Sequence, residues 1–382
     1  MDQKQNPAGG AGRRGLLAAA SVLGIVIKSK FAAAAAPGSP SVGSGTGPFV
    51  QEETLEPDLP IIDTHHHLFD MMSPKPGGRG LRYLFPEILA DMHTGHRVLG
   101  SVIVGGAGFA RASGPEALRV VGDTEFTNGA SAQAASGKYG PELIGAGIVG
   151  QADLTMGSAV RPVLEAHLRA GGDRFRGIRH MTVWSDDPKL HPPGKMAAPD
   201  EAFHPDFRRG YAELEPLGLS FDAWCYFTQL DGIAGLARDF PNTTIIMNHC
   251  GGPLGSSTWA AKKQEALVAW RTAVRGLAQY PNVYMKLGGL GMAETGLPSV
   301  GSNPPSSSLE IATEQRPYLE TCIEAFGADR CTFESNYPVE AGVGTYHTVW
   351  NAFKRVTANY SAAEKAALYS GTASKAYRLT LI

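Results

Sequence analysis

From residue 60 onward, short apolar runs alternate with stretches whose apolar positions return at helical spacing. The runs predict strands at Ile61–Thr64, Ser101–Val104, Leu143–Val149, Gly177–Met181, Ser220–Tyr226, Thr244–Asn248, Val283–Lys286 and Arg330–Glu334. The stretches between them predict helices over Ala159–Ala170, Pro205–Leu217, Gln229–Phe240, Lys262–Gln279 and Pro317–Phe326. Two more helices, Thr348–Thr357 and Ala362–Ser370, follow the last strand. Short buried strands that alternate with helices pair in parallel. Eight of them close an α/β barrel, the (β/α)8 TIM barrel. The expected fold is one such domain over residues 59–382, with no internal repeat.

That fold places chemistry at the carboxyl ends of the strands and in the loops that follow. Three of those loops are long: Leu68–Pro86 with Lys75, Arg79 and Arg82, the proline-containing Ser185–Phe203, and Gly291–Leu309. All three belong to one face of the barrel and have the length of lids.

Residues 1–50 do not follow this pattern. Arg13 and Arg14 precede an uncharged apolar run, Gly15–Ile27, and small residues follow at Ala32–Ala36. This is the order of an export signal, and the adjacent arginines make it the twin-arginine type. The apolar run is shorter than the ~20 residues of a membrane span, and Lys28 and Lys30 close it. Residues 1–36 are thus expected to be an export leader and residues 37–58 a linker, Pro37–Gly47 being rich in Gly, Ser and Pro. The location implied is periplasmic or secreted, and cytoplasmic if the leader is not used.

The length of 382 residues suits a large barrel of ~250 residues or more plus a tail. With 43% hydrophobic and 18% charged residues, the chain can bury a sizeable core. The net charge of −2 argues against a nucleic-acid partner, which would select a basic face. Cys225, Cys250, Cys322 and Cys331 lack the spacing of a zinc knuckle or a disulfide framework. The expected partner is a small-molecule substrate, a cyclic carboxylate by the residues below, and the chain is compatible with a homo-oligomer.

Polar residues cluster at the strand ends. Asp63, His65 and His67 share a parity, so all three are expected to face the barrel interior. Two histidines two apart on a strand can meet at one divalent ion; the alternative is a polar strand end with satisfied rings. His249 closes the sixth strand in Met-Asn-His-Cys-Gly-Gly-Pro and would add a third imidazole. Arg179 and His180 end the fourth strand, and only one of them can point inward. The guanidinium would grip a substrate carboxylate with two hydrogen bonds; the imidazole would serve as acid, base or ligand. Glu334 and Asn336 share a face at the eighth strand, with Lys286 as an ion partner for Glu334. Trp224 and Tyr226 lie on one face of the fifth strand with Asp222, either as a flat wall for a ring-shaped substrate or as core.

The segments IIDTHHHLFD, FRGIRH, LSFDAWCY, TTIIMNHCGGP, VYMKLGGLGM and DRCTFESNYPVE together resemble the amidohydrolase-related family. The branch they resemble includes sugar-lactone and muconolactone-type lactonases. The resemblance covers the chain after the leader and does not specify a substrate. It implies His65 and His67 as the first-strand metal pair or its remnant, and His249 as the sixth-strand histidine. Many relatives carry Gly-Ser-Asp-Trp-Pro at the eighth strand, where this chain reads Glu-Ser-Asn-Tyr-Pro. Asn336 thus replaces a carboxylate, and an amide is no general base. The fifth strand also lacks the histidine of two-metal members. The resemblance therefore implies one divalent ion, zinc by ligand type, or a metal-free site in which His180 and Arg179 polarise a carbonyl. Glu334 is the candidate for the missing carboxylate. The activity implied is hydrolysis of a lactone or related cyclic ester. Two alternatives remain open: non-oxidative decarboxylation of an aromatic or enoic acid, and ligand binding without turnover.

Overall fold

In the computed structural model, residues 51–71, 81–106, 108–191 and 197–381 are described. The leader reading of residues 1–36 falls outside them, as do Lys75 and Arg79 of the first long loop. Each expected apolar run contains a strand: β1 (Ile61–His66), β2 (Val98–Val104), β3 (Leu143–Gln151), β4 (Phe175–Met181), β5 (Ser220–Trp224), β6 (Ile245–Met247), β7 (Val283–Leu287) and β8 (Cys331–Phe333). All seven neighbouring pairs are parallel and run in chain order. The ring is a (β/α)8 TIM barrel. Its last seam, β8 to β1, is an isolated parallel bridge between His66 and Tyr337. There the His67 N–H donates to Tyr337 O (2.7 Å) and the Asn336 N–H to His65 O (2.8 Å).

The strands alternate between two apolar layers. Ile61, Ile103, Ile148, Ile178, Phe221 and Met285 pack outward against the helices. Ile62, Val102, Val149, Ile246 and Tyr284 pack with Ala373, Ala376, Tyr377 and Leu379 in a second cluster. The helix Thr372–Tyr377 thus fills the space between the strands on the side away from the strand-end polar residues.

Three helices lie outside the sequence expectations: Phe85–Met92, the single turn Glu116–Arg119, and Val121–Ala135. The helix Val121–Ala135 buries Gly122, Asp123, Thr124, Thr127 and Ser131. Small and polar residues make its inner face, so it carries no apolar stripe. The helix expected to begin at Pro317 begins at Ser308 instead. Pro317 sits inside it, and the start is a capping box in which Glu310 accepts the Ser307 N–H at 2.8 Å. The last expected helix, Ala362–Ser370, is Ala362–Ala366 followed by a widened turn and Thr372–Tyr377.

Residues 51–58, read as the end of a linker, are docked on the barrel. Glu52 accepts the Ser308 N–H at 2.7 Å, and Asn351 accepts the Leu55 N–H at 3.0 Å. Lys354 Nζ donates to the carbonyls of Leu55 (2.8 Å) and Glu56 (2.9 Å). A polar segment of this kind shows no apolar pattern, because backbone and charge contacts hold it. Among the described residues, no helix is long and apolar enough to cross a membrane.

Candidate active site

The first strand sets the site. Asp63 pairs with Ser101 and His66 with Ile103, so three steps along β1 answer two along β2. One extra residue therefore lies between Asp63 and His66, and such a bulge reverses the alternation of side chains. Asp63 does not share the histidines' surroundings, contrary to the expectation from parity. Its carboxylate accepts the Ser335 N–H (2.9 Å), the Ser335 hydroxyl (2.6 Å) and the Tyr346 hydroxyl (3.2 Å). It fastens the chain after β8, and burial pushes its carboxyl up to about 6. His66 bonds Ser101 Oγ at 2.8 Å. His65 and His67 face each other, Nε2 to Nε2, at 3.2 Å.

His67 Nδ1 lies 2.7 Å from Val104 O and must donate to it, which leaves a lone pair on its Nε2. His249 follows β6 in a left-handed conformation, φ 56°. Gly289 makes room for it: a Cβ there would stand 2.2 Å from the His249 ring. His249 Nδ1 lies 2.7 Å from Glu334 Oε1, and the same oxygen accepts the His249 backbone N–H at 2.9 Å. Trp224 meets the His249 ring edge-on at 4.6 Å. Burial would push the Glu334 carboxyl up, but the charges of His249 and Lys286 and the bonds from His249 outweigh it. The carboxylate is held below its ordinary range and stays ionised. Burial, with Lys286 beside His65 and Arg179 beside His67, holds both rings well below the usual imidazole range, so both are neutral.

Lys286 is fully buried. Its closest acidic partner is Asp222 Oδ1 at 2.9 Å, with Glu334 Oε2 at 3.9 Å. The expected Lys286–Glu334 pair is thus secondary, because Asp222 lies nearer. Asp222 Oδ1 also accepts the Tyr377 hydroxyl (2.7 Å) and Asn248 Nδ2 (3.2 Å). Arg179 points inward, as one of the pair Arg179–His180 had to. It donates to Gly105 O (2.8 Å) and lies 3.3 Å from His65 Nε2. Its Nε has no partner, and burial lowers the guanidinium to about 10.

Other expected residues stand apart. His180 points away from the histidine cluster. Its Nε2 lies 2.8 Å from Glu201 Oε1, and its Nδ1 accepts the Leu154 N–H at 3.1 Å. It ties the loop containing Glu201 to β4, with both ring nitrogens bonded, and lies on the wall of the same cavity as Arg179. Tyr226 is buried, and its hydroxyl donates to Leu190 O at 2.5 Å, so it anchors the same loop rather than forming a wall. Asn336 is buried at φ 51°, with Nδ2 3.5 Å from Glu340 Oε1 and an unpartnered Oδ1. Sequence reasoning did not assign Glu340, Glu201 or Tyr377. Glu340 accepts the Gly291 N–H at 2.7 Å, and burial pushes its carboxyl up to about 8. Glu201 lies in a loop without periodicity, and Tyr377 in a C-terminal helix with no spacing to the site. No sequence signal pointed to these three.

His65, His249 and Glu334 offer ligand atoms within 4.8 Å of one another, a set that suits one divalent ion. The 3.2 Å between the Nε2 atoms of His65 and His67 is also close to the ~3.3 Å expected of two imidazoles on one tetrahedral ion. Beside the cluster, a cavity of about 540 Å³ has Arg179 on its wall, with Glu116, Gln151, Met156, Met181 and Glu201.

The sequence profile of the amidohydrolase family matches residues 62–379. An uncharacterised protein of Sinorhizobium fredii, y4mH, is 33% identical over 339 residues, 84% of this chain and 99% of its own length. The L-fucono-1,5-lactonase of Burkholderia multivorans is 28% identical over 239 residues, 61% of this chain and 72% of its own. In structure, the barrel is similar to a B. multivorans amidohydrolase crystallised with bound zinc, with a TM-score of 0.63, 24% identity, and 84% and 99% of the two chains covered. It also shares its fold with a 5-carboxyvanillate decarboxylase of Sphingomonas paucimobilis, with a TM-score of 0.51, 14% identity, and 84% and 100% covered.

Proposed function

The chain belongs to the amidohydrolase family and is a hydrolase, and within that family we propose that it opens a lactone of a hydroxylated acid. One observation carries the reading: a buried guanidinium with an unpartnered Nε lies on the wall of a cavity and reaches back to His65, which packs against the carboxylate-held His249. The 28% identity to an L-fucono-1,5-lactonase supports it.

The lactone carbonyl takes the Arg179 N–H, which stands where negative charge grows on oxygen. Glu334 orients His249 through Nδ1 and leaves the Nε2 lone pair for a proton. His249 takes that proton from a water as the water oxygen bonds to the carbonyl carbon. The ring C–O bond then breaks, and the proton passes to the departing alkoxide. The product is an open hydroxy acid, whose ionisation releases one proton. His65, His249 and Glu334 would be the residues to hold a divalent ion; when bound it would occupy the His249 lone pair and supply Lewis acidity in place of that base.

The cavity refines the expected cyclic carboxylate. Arg179 has already engaged two of its three nitrogens, which leaves a single-point donor rather than a fork. Glu116, Asp153 and Glu201 on the lining favour substrate hydroxyls over further carboxylates. Assay of L-fucono-1,5-lactone and other sugar-acid lactones by proton release tests the reading. Turnover that His249→Asn abolishes is the expected result. Absence of acid from every lactone, with carbon dioxide released from an aromatic acid, overturns it.

A further inference from the structure

We propose that Gln151 selects the substrate: its side-chain carbonyl accepts a hydroxyl carried by the carbon next to the lactone carbonyl. The inference rests on the hydrolytic reading and names which lactones the site takes. Gln151 ends β3 and is the register partner of Arg179 on β4. The two side chains hold one atom in common. Gly105 O accepts Arg179 Nη2 at 2.8 Å and Gln151 Nε2 at 3.0 Å, which fills both of its lone pairs. Two nitrogens bonded to one oxygen stand on the order of 5 Å apart. Guanidinium and amide are therefore neighbours on the cavity wall.

The shared carbonyl also fixes which way the amide faces. A carbonyl oxygen only accepts, so Gln151 must turn Nε2 toward Gly105 and Oε1 away from it. Among the described residues no hydrogen bond goes to Oε1, and the side chain is partly exposed where it lines the cavity. The backbone behind it is pinned: the buried His167 donates from Nε2 to Gln151 O at 2.9 Å, and its Nδ1 lies 2.8 Å from Thr124 Oγ1. The other polar side chains of the wall are engaged or less constrained. Glu201 takes His180 Nε2 on one oxygen (2.8 Å) and the Ala198 N–H on the other (3.0 Å). Asp153 Oδ1 accepts the Thr155 N–H at 3.0 Å, and Glu116 is exposed on a single helical turn. Gln151 Oε1 is the acceptor already held in place beside Arg179, and a preset acceptor loses little freedom on binding. With the lactone carbonyl on Arg179, the nearest hydroxyl is the one on the adjoining ring carbon. A lactone without that hydroxyl strips water from Oε1 and leaves it unpaired.

The test compares kcat/KM for L-fucono-1,5-lactone and its 2-deoxy analogue by proton release, in wild type and Gln151→Leu. Wild type is expected to prefer the hydroxylated lactone about 10- to 100-fold. In Gln151→Leu that preference should shrink to within about 3-fold, because the hydroxylated lactone slows while the deoxy compound changes little. A variant that slows on both lactones equally would show a purely structural glutamine and overturn the proposal. So would a wild type that treats the two lactones alike, a result that stands even if the variant does not fold. Calorimetry with the two corresponding 1,5-lactams, which resist hydrolysis, separates this inference from the reaction. A wild type inactive on lactones that still binds the hydroxylated lactam about 10-fold or more tighter, with the difference lost in Gln151→Leu, refutes the hydrolytic reading and leaves the selectivity standing. Lactams that bind alike or not at all to such an inactive wild type overturn both.

Discussion

Replacing Glu334 with Gln keeps the side chain's shape and removes its charge. The carboxylate holds His249 through two bonds, at 2.7 Å to the ring and 2.9 Å to the backbone N–H, and lies 3.9 Å from Lys286. A hydrogen bond to a charged group contributes about 1.5–3 kcal/mol and a neutral one about 1. Weakening two such bonds, with the Lys286 attraction lost as well, costs about 2–4 kcal/mol of stability. The kinetic cost is larger. An amide presents an N–H as readily as an oxygen to Nδ1, so His249 can adopt the tautomer with its proton on Nε2, where the lone pair is required. Losing the orienting group of a histidine base lowers turnover by about 10²- to 10⁴-fold. Lactone opening followed by proton release, with urea unfolding in parallel, measures both. The pH dependence is a second check. The Glu334 carboxyl is held below its ordinary range, so its contribution is fully present above that range and fades as pH falls through the lowered value. Glu334→Gln should flatten that acid limb of stability. Activity within 3-fold of wild type, in a variant with the predicted stability loss, would refute the assignment of Glu334 as the group that orients His249.

Gly289→Ala places a Cβ 2.2 Å from the His249 ring at φ +66°, where only glycine is at ease. Turnover should fall at least ~10-fold, since a displacement of about 1 Å costs that much or more; an unchanged kcat would show that His249 has freedom to move. Glu340 is pushed up to about 8, well above an unfolded glutamate. The native protein therefore loses stability as pH rises from about 4.5 to about 8. Glu340→Gln should become progressively more stable than wild type over that window, as urea midpoints at pH 5 and 8 would show. Glu52→Ala removes the acceptor of the Ser308 N–H and hydroxyl, and it should lower unfolding free energy by about 1–2 kcal/mol without changing KM. A loss below 0.3 kcal/mol would mean that the docked segment contributes little.

The barrel was legible because its strands are short, mostly apolar runs separated by segments of helical spacing, as at Ile245–Met247. The helix Val121–Ala135 was not, since small polar residues pack it against its neighbours. At the site, the strand-end rule found His65, His67, Arg179, His249, Lys286 and Glu334, and the structure brings these six together. Parity misplaced Asp63, because a bulge leaves no mark in the pattern. His180 and Tyr226 satisfied the same rule, yet their polar atoms are taken up by Glu201 and Leu190. Which of two adjacent residues turns inward, and whether an outward one finds a partner, depends on loops far away in sequence. Glu340 and Tyr377 reach the site by three-dimensional contact alone.

The helix Thr372–Tyr377 has a consequence for how the molecule is made. Ala373, Ala376 and Tyr377 occupy the space among Ile62, Val102, Val149 and Ile246, and they leave the ribosome after all eight strands. Until they emerge, the nascent barrel has an open floor, and Asp222 and Lys286 lack the phenol that caps them. Domains otherwise gather structure from the amino end as synthesis proceeds. Here closure of the barrel floor would wait for Thr372–Tyr377, so that a chain stalled before that helix would hold its eight strands without the residues that pack beneath them.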